Sequence, residues 1–204
     1  MADTWAQLAA ERQRFVDFLP SLTPEEWAKP SLCSGWTVRD TVAHIVAGAK
    51  NNPGKFLVGL IASGFSFDKF IAKGLAKEKD QTPAQLIAAL SGLVARKTQP
   101  GKLMLGEIIT HGEDVRRALG KPSGSYDPAA LQLVAQTYAK AGPPVRSKKR
   151  AAGLKLVATD TQWTHGEGPE VRGAMIDLIV AIAGRKQALA NLTGPGLETL
   201  ASRC

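Results

Sequence analysis

The stretch that most constrains this chain runs Leu103-Met-Leu-Gly-Glu107-Ile-Ile-Thr-His111-Gly-Glu-Asp114-Val-Arg-Arg-Ala-Leu-Gly120. It reads as one helix, on which Glu107 and His111 leave the same face one turn apart. Met104, Ile108 and Val115 fall beside that pair on a helical wheel, and Lys102, Glu113, Arg116 and Arg117 fall on the far side. A carboxylate and an imidazole therefore sit at the edge of the face that should be buried. Burying them costs free energy unless something pairs with them, and a divalent metal is an efficient partner. A plain hydrogen bond between the two satisfies the same spacing. Either way, the fold must bring polar partners to this helix edge.

The chain has 204 residues, enough for one sizeable core or one domain with a small appendage. With 44% hydrophobic and 22% charged residues it has the balance of a soluble globular protein. A net charge of +8 permits anionic partners, but the basic residues are scattered. The one dense cluster, Arg146-Ser-Lys148-Lys149-Arg150, follows Pro143-Pro144 and has no interleaved aromatics. It reads as a solvated linker, which argues against nucleic-acid binding. The N-terminus lacks a charged n-region followed by an apolar h-region, so no signal peptide is expected. The longest apolar runs, near 56–61 and 179–183, are too short to span a membrane. Cys33 and Cys204 make no disulfide framework. A reduced, cytoplasmic protein is the expectation.

Apolar periodicity predicts a first helix from about Thr4 to Leu19. Thr23-Pro24-Glu25-Glu26 caps a short second one, and Lys29–Gly35 is a loop. Thr37-Val-Arg-Asp40 starts a helix that runs to about Lys50, with Val38, Val42, Ile45, Val46 and Ala49 as its stripe. His44 lies off that stripe among Asp40, Ala43, Ala47 and Gly48, small residues that let another helix approach. Helical pieces follow at Lys55–Ala62 and Phe67–Lys77, and Thr82-Pro83 caps a helix to about Arg96, ended by Gln99-Pro-Gly101. After the Glu107/His111 helix, Asp127-Pro128 caps another to about Ala141. The period then changes. Leu154–Thr159 and Gln162–His165 read as strands of a hairpin, followed by one long helix from about Ala174 to Leu192.

The chain has three histidines, His44, His111 and His165. If Glu107 and His111 bind a metal, His44 is the best third ligand, since bundle metal sites draw on facing helices. Two histidines and a carboxylate leave a coordination position open, the mark of a catalytic site. Zinc suits this ligand set best, with nickel, iron and manganese as alternatives. Asp40 is placed to hold the His44 imidazole in one tautomer. Asp114 is read either as a support for the site or as a partner of Arg117. His165 reads as a surface or substrate-facing residue. Cys33 has no cationic flank to lower its pKa, so no chemical role is assigned to it.

Three segments together carry a resemblance: Gly35-Trp-Thr-Val-Arg-Asp-Thr-Val-Ala-His44, Gly106-Glu-Ile-Ile-Thr-His-Gly-Glu-Asp-Val-Arg-Arg-Ala-Leu-Gly120, and Val171-Arg-Gly173 with Ile182-Ala-Gly-Arg185. In order and spacing they resemble the mycothiol-dependent maleylpyruvate isomerase family of the DinB/YfiT-like metalloprotein superfamily. The resemblance implies a mainly α fold, a DinB-like four-helix bundle followed by a small α/β region. Domains are expected over residues 1–145 and 146–204. It implies a metal held by His44, Glu107 and His111, and mycothiol as a possible cosubstrate. It also implies an arginine from the C-terminal region for an anionic substrate, Arg185 first and Arg172 second. The expected activity is a metal-activated thiolate attacking a small electrophile. A hydrolase using metal-bound water is one alternative. A non-catalytic metal-stabilised binding protein is another, with the fourth position filled by Cys33, Asp40 or His165.

Overall fold

Three threonines set three helix starts. Thr23, Thr37 and Thr82 each accept from the N–H three residues on, while the Glu26, Asp40 or Gln85 side chain accepts from the cap's own N–H. The computed structural model describes residues 3–98 and 100–204. It forms two compact units, one ending at Ser125 and the other spanning Tyr126–Cys204.

The first unit holds α1 (Thr4–Phe18), α2 (Pro24–Ala28), α3 (Val38–Lys50), α4 (Pro53–Ile61), α5 (Phe67–Ala76), α6 (Pro83–Ser91) and α7 (Gly101–Ala118). Helices α1 and α3 each pack against both α6 and α7, which closes a four-helix bundle. Leu8, Phe15, Val42, Val46, Leu86, Leu90, Leu105 and Ile109 fill it. Each contributes about 1.5–3 kcal/mol of burial free energy. Helix α5 lies on the small-residue face of α3, where a Cβ at Gly74 would meet Ala47 Cβ at 3.7 Å.

Helix α6 stops at Ser91 rather than near Arg96. The buried Arg12 guanidinium on α1 takes the carbonyls released there, reaching Leu93 O at 3.1 Å, Arg96 O at 2.6 Å and Thr98 Oγ1 at 3.2 Å. Burial, with the neighbouring charge of Arg96, lowers the Arg12 pKa to about 10. Of the expected stop at Gln99-Pro100-Gly101, Gln99 lies outside the described residues.

The second unit holds α8 (Pro128–Tyr138), α9 (Ser147–Ala151), β1 (Lys155–Ala158), β2 (Thr164–His165), β3 (Glu170–Gly173), α10 (Met175–Ile182) and α11 (Leu197–Ala201). Strand β1 is central, antiparallel to β2 with Leu156 opposite His165, and parallel to β3 with Leu156 opposite Val171. Helix α8 packs on α10, so it falls with this unit and the division comes before Tyr126, ahead of the expected 145/146 boundary.

Two expectations are corrected here. The cluster at 146–150 is not a solvated linker but the short helix α9. Ser147 and Ala151 are buried, and the Arg150 guanidinium bonds the carbonyls of Val145 at 2.8 Å and Ile182 at 3.2 Å. The single long helix over 174–192 breaks after Ile182 and resumes as a 3-10 turn at Lys186–Asn191. Gly184 makes the break, with φ of +101° and the Arg150 guanidinium 2.7 Å from where a Cβ would stand. Among the described residues no helix is long and apolar enough to cross a membrane.

Candidate metal centre

Helices α3 and α7 pack side by side in the bundle and bring His44 to the Glu107/His111 turn. Glu107 Oε2 lies 3.2 Å from His111 Nε2 and 3.4 Å from His44 Nε2. The two imidazoles meet edge to face, with centroids 4.9 Å apart. The three expected ligands are therefore together, two neutral-capable nitrogens facing one carboxylate oxygen. The side chain of Glu107 keeps 30% of its surface accessible, so the cluster opens to solvent at the carboxylate.

What aims His111 is Asp114, three residues on along α7. Its Oδ2 is 2.8 Å from His111 Nδ1, and its side chain is fully buried. A carboxylate only accepts, so Nδ1 carries a proton and Nε2, turned to Glu107, is the nitrogen that can give up its own proton to a metal. Asp114 thus stands as a support for the site, while Arg117 Nε donates to Glu113 Oε2 at 2.6 Å. Glu113, expected on the solvent face, is buried. Ser123 Oγ at 2.8 Å and the Gly124 N–H at 3.0 Å complete a cradle for it.

Asp40 does not hold His44. Its Oδ2 accepts from the Thr37 N–H at 2.9 Å and from Thr37 Oγ1 at 2.7 Å, closing the α3 cap. The local capping bonds occupy the carboxylate instead. His44 is packed by Trp36, whose ring centroid is 5.0 Å away. Reading the motif residue by residue left Trp36 without a role; its position directly before the Thr37 cap was the available signal.

Charge reinforces the geometry. Burial acts to raise the Glu107 pKa, but the hydrogen bonds to His111 and His44 outweigh it and hold the carboxyl well below the usual carboxylate range. Burial acts to lower the His111 pKa, but the bonds to Asp114, Cys33 and Glu107 raise it well above its ordinary value. Without a metal, the carboxylate lies between two imidazoles, of which His111 holds its proton more tightly than a free one.

A second group of donors, Cys33, His111 and Asp114, also converges. It meets His111 at Nδ1, where the ring proton is already given to a fully buried carboxylate. The His44, Glu107 and His111 group offers lone pairs, a carboxylate and an opening, and fits a divalent metal better.

Residues 8–100 match the family model described as mycothiol maleylpyruvate isomerase N-terminal domain. The match covers the bundle from α1 to the start of α7. The matched region contains His44 and stops short of Glu107 and His111. Two crystal structures of the mycothiol-dependent maleylpyruvate isomerase superpose on the chain, each over 94% of it and 91% of their own length. One is a histidine-to-alanine variant, with TM-score 0.60 at 15% identity; the other has TM-score 0.54 at 13% identity. At such identities the likeness establishes the fold. Uncharacterized proteins of Mycobacterium tuberculosis, from strains CDC 1551 / Oshkosh and H37Rv, are each 24% identical over 141 residues, 65% of this chain and 76% of theirs.

The two expected arginines lie in the second unit. Arg172, on β3, bonds Glu170 Oε2 at 2.9 Å, and Arg185 Nη1 donates to Ala183 O at 2.8 Å. His165, on β2, stacks on Trp163 with centroids 6.1 Å apart.

Proposed function

We propose that the protein is a metal-dependent thiol transferase or isomerase. A divalent metal, zinc by ligand set, is held by His44, Glu107 and His111; mycothiol or another small thiol is the cosubstrate. The observation that carries this reading is the meeting of two Nε2 atoms on Glu107 Oε2 at 3.4 and 3.2 Å beside a solvent opening. The match of residues 8–100 to the mycothiol maleylpyruvate isomerase N-terminal domain supports the choice of thiol. When bound, the metal supplies Lewis acidity that lowers the pKa of a coordinated thiol, giving the nucleophile for a small electrophile.

The chain's own residues prepare that chemistry. Asp114 keeps His111 Nε2 pointed inward, and Trp36 walls the site behind His44. The anionic carboxylate of Glu107 holds down the net charge the site presents. Arg185, and after it Arg172, are proposed as the cations for an anionic group on the substrate, in keeping with the net charge of +8.

The test is a thiol-transfer assay on zinc-loaded protein, with mycothiol and a panel of small electrophiles, anionic and neutral. Consumption that needs both thiol and metal is expected. Metal-dependent turnover without thiol would replace this reading with a hydrolase, and tight metal binding with no turnover would replace it with a binding protein.

A further inference from the structure

The loop between α2 and α3 reaches both histidine ligands. Trp36 stands against His44, and three residues earlier Cys33 stands behind His111. Cys33 Sγ donates to Asp114 Oδ2 at 3.1 Å, the same oxygen that accepts the His111 Nδ1 proton, and lies 3.4 Å from that nitrogen. We propose that Cys33 is a positioning residue of the metal centre, its thiol proton holding the Asp114 carboxylate in the orientation that aims His111 Nε2 at Glu107. The proposal rests on the metal-site reading above for its purpose, but not for its geometry.

The thiol is itself held in place. The Cys33 N–H donates to Ser31 Oγ at 3.1 Å, and Ser31 Oγ accepts from Thr41 Oγ1 on α3 at 2.8 Å. The Trp36 N–H closes the turn on Cys33 O at 3.0 Å, and the Leu32 N–H bonds the main-chain carbonyl of Asp114 at 3.3 Å. The loop is therefore pinned to α3 and α7, the two helices that carry the ligands. Asp114 is fully buried, so an oxygen that loses one of its donors there pays a desolvation cost that an exposed one would not. Cys33 meets the imidazole on its Nδ1 edge, away from the Nε2 that faces Glu107, which sets it apart from the ligands.

The experiment uses the full chain as parent, Cys33→Ser, Cys33→Ala, Asp114→Asn and the Cys33→Ala/Asp114→Asn double variant. Zinc affinity is read by competition with a chromogenic chelator, and folding by circular dichroism melts. Cys33→Ala should bind zinc about tenfold more weakly, Cys33→Ser should keep most of the affinity through its hydroxyl donor, and Cys33→Ala should cost nothing further beside Asp114→Asn. In metal-free protein, solvent exchange of the His111 Nδ1 proton by NMR should be about fivefold faster in Cys33→Ala than in the parent. That second readout needs no metal, so it separates failure of this proposal from failure of the metal site itself. Parent-like exchange and affinity in Cys33→Ala would overturn the proposal, as would equal losses in the alanine and serine variants. A sulfur-to-cobalt charge-transfer band in the cobalt-loaded parent would also overturn it, making Cys33 a ligand.

Discussion

His111 Nδ1 and Asp114 Oδ2 are 2.8 Å apart inside the bundle, and this contact decides which nitrogen of His111 is left for a metal. Supporting carboxylates of this kind are worth about 10–100-fold in metal affinity. Asp114→Asn is therefore expected to weaken zinc binding by that range. A chelator-competition titration checks it, and parent-like affinity in the folded variant would count against the assigned ring orientation.

The same contacts set a pH dependence with opposite signs for folding and for metal uptake. The His111 pKa is raised above its ordinary 6.5, so the stability it contributes to metal-free protein is fully present below about 6.5 and is lost as pH climbs through the raised value. Glu107 is the reverse case, lowered below 4.5, and its contribution is present above about 4.5 and lost as pH falls through the folded value. Metal uptake needs His111 Nε2 without its proton, so affinity should rise with pH over the range in which metal-free stability declines. Thermal melts with chelator, and zinc titrations at each pH, read both slopes. A metal-free melting temperature that climbs from neutral into alkaline pH would contradict the account.

Glu113 and Arg117 form a buried pair on α7, closed over by Ser123 and Gly124. Removing one partner of a buried pair costs about 3–5 kcal/mol. Glu113→Ala is expected to lower the melting temperature sharply, whereas Lys155→Ala, in a solvent-accessible pair with Glu170, should change it far less. Urea denaturation of both variants makes the comparison.

Much of the bundle was legible because its signals are local. Thr23, Thr37 and Thr82 announce helix starts through bonds made within three residues, and those starts are where the structure has them. Glu107 and His111 share a face by spacing alone, and with three histidines in the chain His44 was the natural companion. The misses came from competition between local and distant partners. Asp40 stood four residues before His44, yet its own cap took the carboxylate. Asp114 was as well placed for Arg117 as for His111. Only tertiary packing puts Glu113 beside Arg117 and the loop 120–125. Cys33 bonds Asp114 across 81 positions of sequence, and no spacing rule reaches that far. The break at Gly184 likewise depends on Arg150, a residue from a helix hidden in what reads as a basic linker.

The central claim is that His44, Glu107 and His111 hold one divalent metal between them. Metal analysis of the purified protein beside His44→Ala and Glu107→Ala tests it most directly. The account predicts about one equivalent of zinc or a related divalent ion in the parent, and loss of most of it in both folded variants. Metal content unchanged in both would contradict it.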